Sequence, residues 1–193
     1  MQWKAGADAG GGDYANIDQA AQVVSVQAPQ DTEIQRLSAQ LNDTFIAYGS
    51  VGKKSQARQE AADKAAAAAP ASAGVATQRA LAKGSAQYMQ SAQDWDAVSA
   101  VSNGRLKADE MRAEELPSEM QGMDAKQREA YIKGKAEERK DIQAKIGRLN
   151  EERRKYVVQK EKEQAAHGAS QTLGQAVIKT VRSQAAKKGF KFK

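Results

Sequence analysis

Histidine and cysteine, which often act as bases and nucleophiles in catalysis, are scarce in this chain. His167 is the only histidine among 193 residues, and there is no cysteine. A Ser-His-Asp arrangement would have to use His167, which lies in a Gly- and Ala-rich link without the acid and hydroxyl pattern of a triad. Thiolate nucleophiles and cysteine-ligated zinc sites are excluded because they need cysteine. We therefore predict that the chain is not an enzyme and has no cofactor, no metal ion and no small-molecule substrate.

Two further patterns have the residue types for chemistry but not the spacing or the surroundings. Segment 49–55, GSVGKKS, is only superficially similar to a phosphate-binding loop. The G-x-x-x-x-G-K-[ST] pattern fails because Ala47 replaces its first glycine and Lys54 its Ser/Thr. Glu137 and Asp141 share one helix face, as general acid/base pairs do. Lys and Arg surround them in the sequence, which is typical of a solvated helix face.

The strongest structural pattern is a long helix, predicted from Asp124 to Gln164. Asp124 is a natural N-cap, and Gln127 completes a capping-box pattern with it. No proline interrupts the run, and only Gly134 and Gly147 weaken it. Such a helix would be about 60 Å long at 1.5 Å per residue.

One face of this helix carries a stripe with a period of about 3.5 residues, as in a coiled coil. Lys135, Arg139 and Arg153 interrupt its apolar positions, which favours packing over residues 142–156 rather than a continuous two-stranded coiled coil. The stripe needs a partner, either another helix of this chain or a second molecule. We call its candidate interaction residues the seam: Ile142, Ile146, Leu149 and Tyr156.

A last helix is predicted over residues 170–188, with Gly189 as its C-cap residue. Six basic residues and no acidic residue occur from Lys179 to the end of the chain. Arg182, Lys187 and Lys188 are therefore candidate contacts for an anionic partner. The alternative interpretation is a solvated helix end, where cations are favourable near the negative end of the helix dipole.

The composition indicates an extended helical protein with a thin core. The hydrophobic fraction is 40%, but 38 residues are Ala. Val, Ile, Leu and Phe amount to about 15% of the chain, below the roughly 20% at which disorder becomes a possibility. Net charge is only +6, and Ala, Gln, Lys, Glu and Arg all favour helix.

We predict a mainly α fold with one long helix, shorter packing helices, a small β remnant near residues 13–26 and a flexible Ala-rich linker. A short helix should begin after Asp94 as N-cap and stop at Asn103-Gly104. The predicted divisions are 1–29, 30–49 (a helix with Ile34, Leu37 and Leu41, then an extended apolar segment), 50–93 (Ala-rich linker or weak helices) and 94–193.

Short stretches spread over most of the chain form a series. They are Trp3, Ala7, 11–14 GGDY, 17–19 IDQ, 28–37 APQDxEIxxL, 41–49 LNDTFIAYG, 115–123 ELPxEMxGM, 127–131 QRxAY and 184–190 QAAKKGF, where x marks a position outside the resemblance. In this order they resemble the last helix and strand of a bacterial von Willebrand factor A (VWA) domain, followed by its helical C-terminal extension. The resemblance implies that residues 1–29 are the end of an α/β domain.

The same resemblance implies an exported protein in the periplasm or outside the cell, and a cytoplasmic location is the alternative. The metal-ion-dependent adhesion site of that family begins with D-x-S-x-S, which does not occur in this chain. No residue here inherits a metal-binding role from the family.

We expect a non-catalytic protein-interaction or scaffold region that acts through the seam and the basic C-terminal helix. Its partner would be another protein or a second copy of the chain, and no stretch is apolar enough to span a membrane. The alternative is a helical protein that binds nucleic acid or another anionic surface, as the isoelectric point of about 9.4 suggests. Aromatic residues for stacking on bases are few, so the only credible nucleic-acid patch is residues 182–193 with Phe190 and Phe192.

Overall fold

The computed structural model describes residues 2–10, 26–69, 72–166 and 173–190, and this part of the chain is mainly helical, as predicted. The predicted strands near residues 13–26 lie outside the described residues, apart from Val26. The helices are α1 Gln2–Ala9, α2 Asp31–Asn42, α3 Gly52–Ala68, α4 Ser72–Lys83, α5 Ala86–Ala92, α6 Ala97–Ser102, α7 Ala125–Ala166 and α8 Leu173–Lys187. Three short 3-10 turns, Ala108–Glu110, Ala113–Glu115 and Ser118–Met120, precede α7.

The chain divides into two compact units. One contains residues 26–158, and the other contains residues 1–25 and 159–193. The first unit includes α2 to α6 and most of α7, and the second includes α1 and α8.

The start of α7 confirms the predicted capping box. The backbone N–H of Gln127 donates to the Asp124 carboxylate at 2.8 Å, and the backbone N–H of Asp124 donates to the Gln127 side-chain oxygen at 2.9 Å. These bonds satisfy two of the amide groups that a helix start leaves without a partner. Local sequence thus sets where α7 begins.

The Ala-rich segment 50–93 forms three helices, α3, α4 and α5. Helix α4 packs against both α2 and α3. Alanine has the highest helix propensity, and its small side chain lets neighbouring helices approach closely. Fully buried Ala80 and Ala92 show that this segment belongs to the core of residues 26–158.

Helix α6 begins two residues later than predicted, because Asp96 and not Asp94 is its N-cap. The Asp96 carboxylate accepts hydrogen bonds from the backbone N–H groups of Ser99 and of Ile46, both at 2.9 Å. An isolated antiparallel bridge between Ala47 and Asp96 holds the two segments together. Asp94 instead forms an exposed ion pair with Arg105. The long-range bonds of Asp96 therefore decide the register of the helix start.

Two apolar clusters form the core of this unit. The first joins the 3-10 turns to α6 and α7, with Ile46, Val98, Met111, Met120 and Ile132 among its buried members. The second joins α2 to the middle of α7, where the Phe45 and Trp95 rings stack with centroids 5.3 Å apart. Helix α7 thus contributes to both clusters.

Candidate interaction surfaces

Three of the four seam residues of α7 pack against other parts of the same chain. Ile142 and Ile146 are buried in the second cluster, together with Leu37 and Leu41 of α2. Leu149 is partly buried and packs against the same cluster. Tyr156 is half-buried. Of the two partners considered from the sequence, a helix of this chain is therefore the one that fills the seam at Ile142, Ile146 and Leu149.

Arg139 interrupts the apolar stripe, yet it is buried with every part of its guanidinium engaged. It pairs with the Asp96 carboxylate at 2.7 Å and donates to the Ser99 hydroxyl at 2.9 Å. It also donates to the hydroxyl and the carbonyl oxygen of Thr44, at 3.0 and 2.5 Å. The Phe45 ring lies 4.3 Å from the guanidinium carbon, in cation–π geometry. A charge expected to weaken the seam is thus compensated inside the unit.

Arg153 makes the second buried ion pair of α7. Its Nε donates to Asp31 Oδ1 at 2.6 Å, and both side chains are at least nine-tenths buried. The other Asp31 oxygen accepts the backbone N–H of Ala28 at 3.0 Å. Asp31 therefore ties the start of α2 to α7. Lys135, the third basic residue that interrupts the apolar stripe, is not part of a buried pair. Its side chain forms an ion pair with the half-exposed Glu138.

A third buried cation, Lys83, joins α2, α3 and α4. Its fully buried ammonium donates to the Ser38 carbonyl at 2.9 Å, to Asn42 Oδ1 at 2.7 Å and to Asp63 Oδ2 at 2.5 Å. Arg79 donates to the other Asp63 oxygen at 2.9 Å. We call these residues the Lys83 cluster. All three ammonium protons of Lys83 are engaged, so this lysine cannot act as a nucleophile in this conformation.

The Lys83 cluster shifts the protonation of its members. Burial lowers the pKa of Lys83, because an apolar surrounding disfavours the charged form, and the Asp63 carboxylate offsets this only in part. Burial also opposes ionisation of Asp63, but hydrogen bonds from Lys83 and Asn42 outweigh it and lower the pKa of that carboxyl. Both shifts have structural causes within the cluster.

A cavity of about 230 Å³ lies beside the Lys83 cluster, between α2, α3 and α4. Ala39, Ala67 and Ala76 line it together with polar groups of Asn42, Asp63 and Arg79. The side-chain oxygens of Asn42 and Asp63 in this lining accept hydrogen bonds from Lys83. Arg79, which also lines the cavity, donates a hydrogen bond to Asp63. The polar groups of Asn42, Asp63 and Arg79 in its wall are therefore already engaged with one another or with Lys83.

Helix α8 presents the basic residues that the sequence singled out, since Arg182, Lys187 and Lys188 are all exposed. The predicted end is confirmed, with Gly189 at φ +84°. The backbone N–H groups of Gly189 and Phe190 donate to the carbonyls of Ala186 and Ala185, both at 3.0 Å, which is a Schellman motif.

Apolar side chains lie beside these basic residues and remain in contact with solvent. Ile178 is 54% exposed, Val181 56% and Phe190 67%. Among the described residues, these three are half of the large hydrophobic side chains that are exposed. The sequence indicated the charge of this surface but not its exposed apolar side chains, because helical periodicity does not show whether a face is covered.

Within the part of the chain that the structure describes, no three His, Cys, Asp or Glu side chains are grouped closely enough to hold a metal ion. No helix of that same part is long and apolar enough to cross a membrane. His167 lies outside the described residues.

Comparisons with protein-family models, with curated proteins and with solved structures found no match for this chain. The resemblance to VWA domain-containing proteins therefore remains a prediction from the sequence.

Proposed function

We propose that this chain is a non-catalytic scaffold and docking region, and that α8 is the element that contacts its partner. One observation carries the proposal: Ile178, Val181 and Phe190 are exposed within a basic segment that contains no acidic residue. A contiguous exposed apolar patch rimmed by polar residues marks an interaction site, and Ile178 and Val181 lie on the same side of α8. The charge favours an acidic partner.

The burial of the seam supports this choice of element. Ile142, Ile146 and Leu149 already pack within residues 26–158, so α7 offers these side chains to the core rather than to a partner. The buried cations of the same unit are also engaged, in pairs with Asp31, Asp63 and Asp96. Buried ion pairs whose groups are already engaged with one another are more typical of a rigid scaffold than of an active site.

Position-specific photo-crosslinking tests the docking role of α8. A photoreactive amino acid replaces Ile178 in the full chain, and in a matched control it replaces Ala144, an exposed residue of α7. We expect an adduct from position 178 in extracts of the source cells, weakened by high salt because charge contributes to binding. The same adducts from both positions, or no adduct from position 178 with either protein or lipid, would contradict the proposal.

We also propose that the chain belongs to the C-terminal region of an exported VWA-type protein. Support comes from the series of matching stretches, of which 28–37, 41–49 and 115–123 are the longest. The gene sequence upstream tests this directly. An in-frame D-x-S-x-S motif together with a signal peptide is expected, and an upstream region that encodes neither would count against both the family and the location.

Nucleic-acid binding is the second candidate, favoured by the run of six basic residues from Lys179 onward without an acid. Binding to phosphates releases counterions, so affinity for duplex DNA should fall steeply between low and moderate salt. Absence of DNA binding even at low salt would remove this candidate. Exposed Ile178 and Val181 have no role in contacts with a phosphate backbone, and for this reason we rank it second.

A further inference from the structure

We infer that the acidic partner of α8 is an anionic lipid bilayer, with the helix lying along the membrane surface and Ile178 and Val181 turned towards the acyl chains. This inference rests on the proposed role of α8 as the docking element. It adds the chemical class of the partner and the orientation of the helix.

The apolar side chains of α8 are placed so that they can insert into a membrane surface. Ile178 and Val181 are three residues apart and therefore lie on the same side of the helix. Both are more than half exposed, and the exposed Phe190 lies three residues after the helix end. An interfacial helix inserts such side chains into the boundary between headgroups and acyl chains. Helix α8 has 15 residues, fewer than the roughly 20 needed to span a bilayer, so it would lie on the surface.

The charged side chains are placed to bind lipid headgroups. Arg182 follows Val181 directly, Lys187 is the last residue of α8, and Lys188 follows it two residues before Phe190. Lys and Arg have long aliphatic stems that lie along apolar surface while the charged end reaches the polar layer. Basic residues clustered on an amphipathic helix bind anionic lipids such as phosphatidylserine. The last acidic residue of the sequence is Glu163, so every charged side chain in α8 and in the residues after it is basic.

A bilayer fits these observations better than the other acidic partners. Duplex nucleic acid would use the basic residues but would leave Ile178 and Val181 in water. An acidic protein groove would cover one apolar stripe, whereas Phe190 lies beyond the helix end and is itself 67% exposed. A membrane surface accommodates the apolar side chains of α8 and Phe190 together with the basic residues. Over its whole area it has an anionic headgroup layer that covers apolar acyl chains.

Vesicle binding tests the charge contribution. The full chain is mixed with phosphatidylcholine vesicles and with vesicles that also contain phosphatidylglycerol. Binding should require the anionic lipid. The variant Lys187→Glu/Lys188→Glu should bind at least roughly thirtyfold more weakly, since each basic residue near such a surface contributes roughly a factor of five.

The matched control is Lys133→Glu/Lys140→Glu, which makes the same charge change at two exposed positions of α7. This control should keep most of the affinity. Equal binding to both kinds of vesicle would overturn the inference, and so would an equal loss in the control variant.

A fluorescence measurement tests the apolar contribution. The chain has no cysteine, so Val181→Cys and Ala144→Cys each give one site for an environment-sensitive dye. We expect a blue shift of the dye at position 181 on anionic vesicles and none at position 144. Adding Ile178→Asp to the Val181→Cys variant should abolish the shift. No shift at position 181 would overturn the inference.

The outcomes separate this inference from the proposed function. Crosslinks from position 178 to protein alone, without vesicle binding, would refute the lipid partner and leave the docking role of α8 intact. No position-specific crosslink and no vesicle binding would refute both.

Discussion

At the scale of single residues, the main feature of residues 26–158 is that buried cations occupy positions where an apolar side chain would be expected. Arg139, Arg153 and Lys83 are each at least nine-tenths buried, and each is paired with an aspartate. An isolated buried charge is costly, and a pair is tolerated only when hydrogen bonds satisfy the remaining groups. All three pairs connect segments that are distant in sequence, so they specify which segments pack together.

Replacing Arg139 with Met should lower the free energy of unfolding by about 3–5 kcal/mol, because Asp96 would be left buried without its partner. Urea denaturation measures the loss. The control Arg148→Met changes an exposed arginine of the same helix and should cost less than about 0.5 kcal/mol. Similar small losses in the two variants would show that the buried pair is not important for stability.

The lowered pKa of Asp63 makes stability depend on pH. A carboxyl with a lowered pKa stabilises the fold above its ordinary value of 3.8, and this contribution is lost as pH falls through its folded value. Asp63→Asn should therefore be less stable than the native chain at neutral pH, with a difference that shrinks below pH 3.8. Urea denaturation over a pH series tests this.

Asp94→Asn, at an exposed carboxylate, is the matched control for charge and should change stability little. If the difference in free energy of unfolding between Asp63→Asn and the native chain stays constant down to acidic pH, the lowered pKa of Asp63 does not contribute to stability.

At the scale of elements, helix starts differ in what specifies them. The capping box of Asp124 and Gln127 is a local pattern and was predicted. The start of α3 depends on tertiary packing instead. A Cβ at Gly52 would lie 2.9 Å from the Ala47 carbonyl carbon and 3.3 Å from the Trp95 carbonyl oxygen. Glycine is required there because two other segments approach its backbone closely.

Gly52→Ala and Gly134→Ala should therefore have opposite effects on stability. Both glycines are helical, but a Cβ at Gly134 meets nothing within 4 Å. Gly134→Ala should stabilise by about 0.5–1 kcal/mol through helix propensity. Gly52→Ala should destabilise, because the neighbouring atoms are backbone and cannot move without shifting the chain. Thermal and urea unfolding of the two variants measure this, and stabilisation by both would disprove the close approach.

At the scale of the whole molecule, residues 26–158 contain one core in two clusters, with α7 contributing to both. Small alanine side chains allow α4 to lie against α2 and α3, and the Lys83 cluster supplies polar contacts where large apolar groups are few. The buried seam removes the need for a second copy of the chain along α7.

The protein should accordingly have the molar mass of a monomer, 20.8 kDa, in solution. Ile146→Asp should lower the free energy of unfolding by at least about 3 kcal/mol, because it buries an unpaired charge. The control Val158→Asp, at a half-exposed site of α7, should have little effect. Light scattering gives the mass and urea denaturation the stability. A native dimer that Ile146→Asp converts into a folded monomer would refute this.

Much of the fold was predictable from the sequence because it depends on local patterns. The periodic apolar residues of α2 and the capping box of α7 each involve residues within one or two helical turns. The true N-cap of α6 was missed, because Asp96 is selected by its bond to the backbone of Ile46, fifty residues away. Segment 50–93 was predicted only as a linker or weak helices for a related reason, because α4 packs against α2 through contacts that are distant in sequence.

The candidate surfaces divide in the same way. The basic character of α8 and its end at Gly189 follow from the order of the residues alone, because charge and glycine conformation are local properties. Only the tertiary structure decided that Arg139 and Arg153 are compensated and that the seam is covered. Their partners, Asp96, Asp31 and α2, come from distant segments, and burial itself arises only when those segments meet. The exposure of Ile178 and Val181, on which the proposed docking surface depends, is likewise a property of the folded chain.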